Sequence, residues 1–127
     1  MKTSFFCLIY LAISCSIFIA SCKDKDPTIA EITVVDKNSV PVAGAKVRVY
    51  CSPSPCDVTS TQTSDGSGVS KHEFKYPAVL KVEATATVTV TDNNQIPPVT
   101  STYDIKGEGY VKLVEHETVP VTITMIK

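Results

Sequence analysis

Leu80-Lys81-Val82-Glu83-Ala84-Thr85-Ala86-Thr87-Val88-Thr89-Val90-Thr91 alternates without a break. Leu80, Val82, Ala84, Ala86, Val88 and Val90 fall on one side. Lys81, Glu83, Thr85, Thr87, Thr89 and Thr91 fall on the other. Period two places successive side chains on opposite faces of a strand, so the run reads as a half-buried β-strand. Valine and threonine dominate it, and their β-branched side chains favour strands over helices. At ~3.3 Å per residue the run reaches about 40 Å, long enough that a bend or bulge midway is expected.

Shorter runs on either side repeat the pattern. Ile29–Asp36 carries Ile32 and Val34 on one face. Ala45–Cys51 sets Val47 and Val49 inward and Lys46, Arg48 and Tyr50 outward. Asp57–Thr63 is weaker. Val69–Tyr76 places His72, Phe74 and Tyr76 together. Gly109–Glu115 and Val119–Met125 close the chain, the last with Val119, Val121, Ile123 and Met125 on one side. No segment has a helical period. Turn chemistry separates the runs: Lys37-Asn38-Ser39, Ser64-Asp65-Gly66-Ser67-Gly68, Asp92-Asn93-Asn94 and Ile96-Pro97-Pro98. Glycine supplies positive φ, and proline cannot sit in a central strand. Short alternating strands punctuated this often predict an all-β fold, a single antiparallel Ig-like or prealbumin-like β-sandwich of about seven strands.

The N-terminus follows other rules. Met1-Lys2 is a short basic start, and Phe5–Ala20 is almost wholly apolar. The run is shorter than the ~20 residues of a spanning helix, is broken by Ser14, Cys15 and Ser16, and ends in small residues. Its close, Ile19-Ala20-Ser21-Cys22, resembles the lipobox of bacterial lipoproteins. That resemblance implies cleavage before Cys22 and two or three acyl chains on its thiol. It divides the chain into a signal peptide (1–21), a lipidated cysteine with a short tether (22–28) and a sandwich domain (29–127). Lys23-Asp24-Lys25-Asp26 loosely resembles the surface-export signal of Bacteroidota lipoproteins, although a plain soluble linker fits it equally. The expected location is the cell envelope, lipid-anchored in the outer membrane, on its periplasmic or surface face. An ordinary secretory signal and a retained anchor are the rival readings.

Charge narrows the partners. All 13 acidic residues and 11 of the 12 basic ones lie beyond Ser21, a balance of −2. A weakly acidic surface argues against nucleic acid and against electrostatic adhesion to anionic lipid. Membrane attachment therefore rests on the lipid at Cys22. Of the five cysteines, Cys51 and Cys56 remain as an even pair in an oxidising compartment, which predicts a disulfide across Ser52-Pro53-Ser54-Pro55. The rival use of these thiolates, a metal site with His72 and His116, lacks the usual tighter C-x₂-C spacing.

Between Ala30 and Ala84 the chain resembles the carboxypeptidase-regulatory-like family of transthyretin-like β-sandwiches. Ile32-Thr33-Val34-Val35-Asp36 stands as its opening strand. Val40-Pro41-Val42-Ala43-Gly44-Ala45-Lys46-Val47 matches its P-x-x-G-A-x-V signature. Thr63-Ser64-Asp65-Gly66-Ser67-Gly68 stands at its T-D-x-x-G turn, ahead of a strand ending at Phe74, and Val79-Leu80-Lys81-Val82 at the next core strand. The resemblance implies a fold and an accessory role, with no catalytic residues to carry over.

Site chemistry is sparse. Asp65 and Asp92-Asn93-Asn94 lack the further oxygens and closing Glu of a calcium loop. His72 and His116 are candidate bases without an evident nucleophile, and neither G-x-S-x-G nor H-E-x-x-H occurs. Tyr50, Tyr103 and Tyr110 are the aromatics available to a sugar, and there is no Trp. The expectation is a non-enzymatic module with no metal or cofactor and a structural or binding role. A glycan- or peptide-capturing accessory of an outer-membrane uptake system is the alternative, and its envelope-protein or glycan partner is open.

Overall fold

A computed structural model describes residues 25–53 and 56–127. The stretch expected to be a signal peptide, and Cys22, lie outside the described residues. Seven strands follow in order: β1 (Thr28–Val35), β2 (Lys46–Tyr50), β3 (Thr59–Thr63), β4 (Val69–Phe74), β5 (Val79–Asp92), β6 (Val99–Lys112) and β7 (Thr118–Thr124). They form two sheets, β4-β1-β7 and β3-β2-β5-β6. The expected all-β sandwich is the fold.

Alternation drives the packing. Ala30, Ile32 and Val34 of β1, Val47 and Val49 of β2, and Leu80, Val82 and Ala84 of β5 are fully buried, together with Val111, Ile123 and Met125. These apolar side chains leave water as one cluster between the sheets, each of the Val, Ile, Leu and Met worth ~1.5–3 kcal/mol of transfer free energy.

Turns hold the register as the sequence suggests. Asp65 Oδ1 accepts the N–H groups of Ser67 and Val69 at 2.9 and 3.0 Å, and Gly68 adopts φ +75°. Asp36 Oδ1 does the same for Asn38 and Val40 at 2.7 and 3.0 Å. Gly44 has φ +73° just before β2, and Ser64 Oγ accepts the Ala45 N–H while donating to the Val42 carbonyl.

Four details differ from the expectation. The sandwich is antiparallel except for one pair: β1 runs parallel to β7, from Ile29 opposite Thr118 to Val35 opposite Thr124. No bulge interrupts β5, whose fourteen residues all pair with β6, from Val79↔Lys112 to Asp92↔Val99. The strand read at Gly109–Glu115 is the end of a longer one that begins at Val99 and stops at Lys112. Tyr76 lies past the end of β4 and is 77% exposed, so it does not share the buried face of His72.

Strand directions set two opposite ends. Thr28, Phe74, Val79 and Lys112 lie at one end, which also holds Cys51 and Cys56 beside Tyr50. Val35 and Thr124 lie at the other. β2 covers the edge of β5 only as far as Thr85, opposite Lys46. Beyond that, Ala86–Asp92 and Val99–Ile105 continue as a two-stranded ribbon for about 23 Å.

Candidate functional site

The ribbon is built from the alternation of β5. On one face Thr87 donates to Asp104 Oδ1 at 2.8 Å, and Thr89 and Thr91 lie 3.4 and 3.3 Å from Thr102 and Thr100. These are directly opposed pairs, so the threonines form a ladder. The other face continues the inward side of the sandwich past its cover. Ala86, Val88, Tyr103 and Ile105 still pack on the core, whereas Val90 and Val99 stand open to solvent. At the base of this face a cleft of about 310 Å³ is lined by Val42, Val88, Tyr103 and Met125, with Asp36 and Lys127 at its rim. Lys127 Nζ sits 4.4 Å above the Tyr103 ring. Tyr103 is thus packed at the ribbon base rather than free on a surface.

The outer face of the four-stranded sheet continues the threonine face toward the opposite end. Register places Tyr50, Lys81 and Tyr110 in one row, Arg48, Glu83 and Glu108 in the next, and Lys46, Thr85 and Lys106 in a third. Tyr110 is 64% exposed. Tyr50 donates its hydroxyl to Glu83 at 2.5 Å and lies under the Arg48 guanidinium at 4.4 Å. Lys81 bridges Glu83 and Glu108 at 3.3 and 3.2 Å. The Tyr50 hydroxyl holds the Glu83 carboxyl below its usual range, while accepting partners on Glu108 and Glu83 push the Lys81 ammonium up. Hydrogen bonding to Glu83 likewise raises the Tyr50 phenol.

Cys51 and Cys56 are joined by a disulfide, with their Cα atoms 5.7 Å apart. The two histidines lie at separate places. His72 is fully buried, with Ser60 Oγ 2.9 Å from Nδ1 and Ser70 Oγ 3.1 Å from Nε2. Burial lowers its pKa. A base oriented for nucleophilic work has a carboxylate on its second nitrogen, and here that place is held by Ser70. His116 sits in the β6–β7 turn at φ 60°, not on a strand. The turn brings it to Glu115, 3.4 Å from Nε2, a neighbour that a strand would have pointed away. Its Nδ1 lies 2.6 Å from the Asp26 carbonyl, and its N–H donates to Thr28 Oγ1 at 3.0 Å. His116 therefore ties the tether to the domain. Among the described residues no three His, Cys, Asp or Glu side chains converge as a metal site would require. No described helix is long and apolar enough to cross a membrane.

The Val99–Tyr103 half of the ribbon escapes sequence reading. Its inward positions are Val99, Ser101, Tyr103, Ile105, Gly107 and Gly109, and serine and glycine erase the apolar beat. The signal available was the threonine spacing at Thr100 and Thr102, which mirrors Thr89 and Thr91.

These features define a class no finer than a two-sheet β-sandwich with a disulfide and an overhanging hairpin. No protein-family profile and no curated protein matches the chain. Among solved structures, a 9R-lipoxygenase from Cyanothece PCC8801 is similar at 18% identity and a TM-score of 0.44. That likeness covers 78% of this chain and 16% of the lipoxygenase chain.

Proposed function

We propose that this chain is a lipid-anchored, non-enzymatic binding module of a bacterial cell envelope, attached through Cys22. The observation that carries the reading is the opposition of its two ends. The tether enters β1 at Thr28, and the ribbon tip at Asp92–Val99 lies at the far end of the strand axis, about 40 Å away. An anchor at Cys22 would hold the domain near the membrane and aim the ribbon outward. His116 supports this by holding Asp26, four positions after Cys22, against the domain. The resemblance of Ala30–Ala84 to carboxypeptidase-regulatory-like domains fits an accessory role, as does the absence of a carboxylate behind His72. Acyl chains contribute ~0.8 kcal/mol per buried methylene, so two or more make attachment effectively permanent.

The test is metabolic labelling with palmitate. Wild-type protein takes up label and is processed, whereas Cys22→Ala does neither. Equal labelling of the two proteins overturns the anchor.

One observation favours glycan capture as a second reading. Tyr50 and Tyr110 share a row two strands apart, about 10 Å, beside Glu83 and Glu108, whose carboxylates can accept sugar hydroxyls. Binding on a glycan array that Tyr110→Ala removes would support it, and an empty array would reject it.

A further inference from the structure

The free edge of β5 is unusual. Exposed edges are normally blunted by lysine, proline, a bulge or a covering element, because unpaired N–H and C=O groups recruit other strands. From Ala86 to Thr91 none of these is present. The residues are Ala, Thr, Val, Thr, Val and Thr, the register with β6 is unbroken, and β2 has already ended at Lys46 opposite Thr85. A two-stranded ribbon without a third strand is also only marginally stable in water.

We infer that two copies of this chain pair antiparallel through the Ala86–Asp92 edges of β5, about a two-fold axis at Thr89. The longest register that avoids β2 lays the seven free residues on themselves. It sets Thr89 against Thr89, Val88 against Val90, Thr87 against Thr91, and Ala86 against Asp92. Threonine then meets threonine on one face and valine meets valine on the other, so the interface is isologous and extends both faces of the ribbon.

Charge agrees with this occupant. Asp92 is the only charged residue from Ala86 to Tyr103. In this register it stands opposite Ala86, on the valine face, so no like charges meet across the edge. Seven paired residues fall short of the ~800 Å² per partner of a standard interface, so a single pair is weak and gains strength from many copies on one surface.

Antiparallel pairing also points the two Thr28 ends in opposite directions. This consequence rests on the lipid reading above: with Cys22 acylated, the pair joins two membranes and cannot form within one.

Cysteine pairing in the full chain tests both levels. Across an antiparallel pair the opposed Cα atoms lie ~4.5–5.5 Å apart, within disulfide range. In detergent extracts, Thr89→Cys should give a reducible band at twice the mass. Mixed Thr87→Cys and Thr91→Cys proteins should do the same, which parallel pairing would not allow. Thr61→Cys on the β3 edge and the wild type should give none. Thr89→Lys, placed in the Thr87→Cys and Thr91→Cys proteins, should abolish the band by setting like charges opposite each other. No band from the edge cysteines, or bands only at other masses, overturns the pairing and points to a different partner strand. Cells carrying Thr87→Cys are then mixed with cells carrying Thr91→Cys. Cross-linking between them supports bridging. A band in extracts but not between cells keeps the edge pairing and overturns the outward-facing anchor.

Discussion

Gly107 lies against Thr124: a Cβ built on Gly107 would stand 2.7 Å from the Thr124 carbonyl oxygen and 2.7 Å from Ile123 Cγ2. At Gly109 the nearest obstacle is Ile123 Cδ1 at 2.6 Å, the far end of a flexible side chain. Both glycines let β6 approach β7 where the two sheets close on each other, and Lys106 bridges Ile126 alongside. The backbone of Thr124 cannot rotate away, whereas Ile123 can change rotamer.

Gly107→Ala should therefore cost about 2 kcal/mol, and Gly109→Ala less than about 1 kcal/mol. Thermal unfolding of the two variants beside the wild type measures both. Equal losses would show that β6 can shift away from β7 as a unit.

Val82 and Glu83 are neighbours with opposite surroundings. Val82 is fully buried between Val49 and Gly109, so Val82→Asp places an unpaired carboxylate in the core and should cost about 4 kcal/mol or more. Glu83→Thr keeps β-propensity but removes the acceptor of Tyr50 and Lys81, at a cost of about 1 kcal/mol or less. Urea denaturation gives the comparison, and similar costs at both positions would contradict a half-buried β5.

The Cys51–Cys56 disulfide closes a short loop. Its removal, by reduction or by Cys51→Ser with Cys56→Ser, should lower stability by about 2 kcal/mol and leave the fold intact. Thiol titration of the folded, oxidised protein should find neither cysteine free.

His72 makes stability depend on pH. Its folded pKa is depressed by burial, so the unfolded chain binds the proton more readily. The contribution is complete above the unfolded value of ~6.5 and is lost as pH falls below it. The urea midpoint should drop between pH 7.5 and 5.5 in the wild type. In His72→Gln, whose amide can still bond Ser60 and Ser70, it should drop less. An identical slope in both proteins would show that His72 does not carry the effect.

Much of the sandwich is legible because its cause is local. Leu80–Thr91 announces its strand through alternation, and Asp65, Gly68 and Gly44 perform the turn roles that their chemistry suggests. The parallel β1–β7 pair is not legible, because no residue near Ile29 encodes a partner ninety positions away. Along Leu80–Thr91 the beat persists although burial stops: Val82 and Val90 look alike in sequence, yet one is sealed and the other is 47% exposed. Where the covering sheet ends depends on the lengths of β1 and β7, not on β5. The overhang, and with it the candidate surface, appears only once the strands are assembled. The row of Tyr50, Lys81 and Tyr110 likewise needs the register of three strands.

The place of β1 has a mechanical consequence. β1 is the middle strand of its sheet, bonded to β4 on one side and β7 on the other, and the ribbon points away from its first residue. A force applied between Lys25 and the ribbon tip runs along the strands and across their hydrogen bonds. It loads both ladders of β1 in shear, so that many bonds must break together, rather than peeling them one at a time. Tension along this axis meets the fold in its strongest direction, while a sideways pull on β7 would open it like a zip.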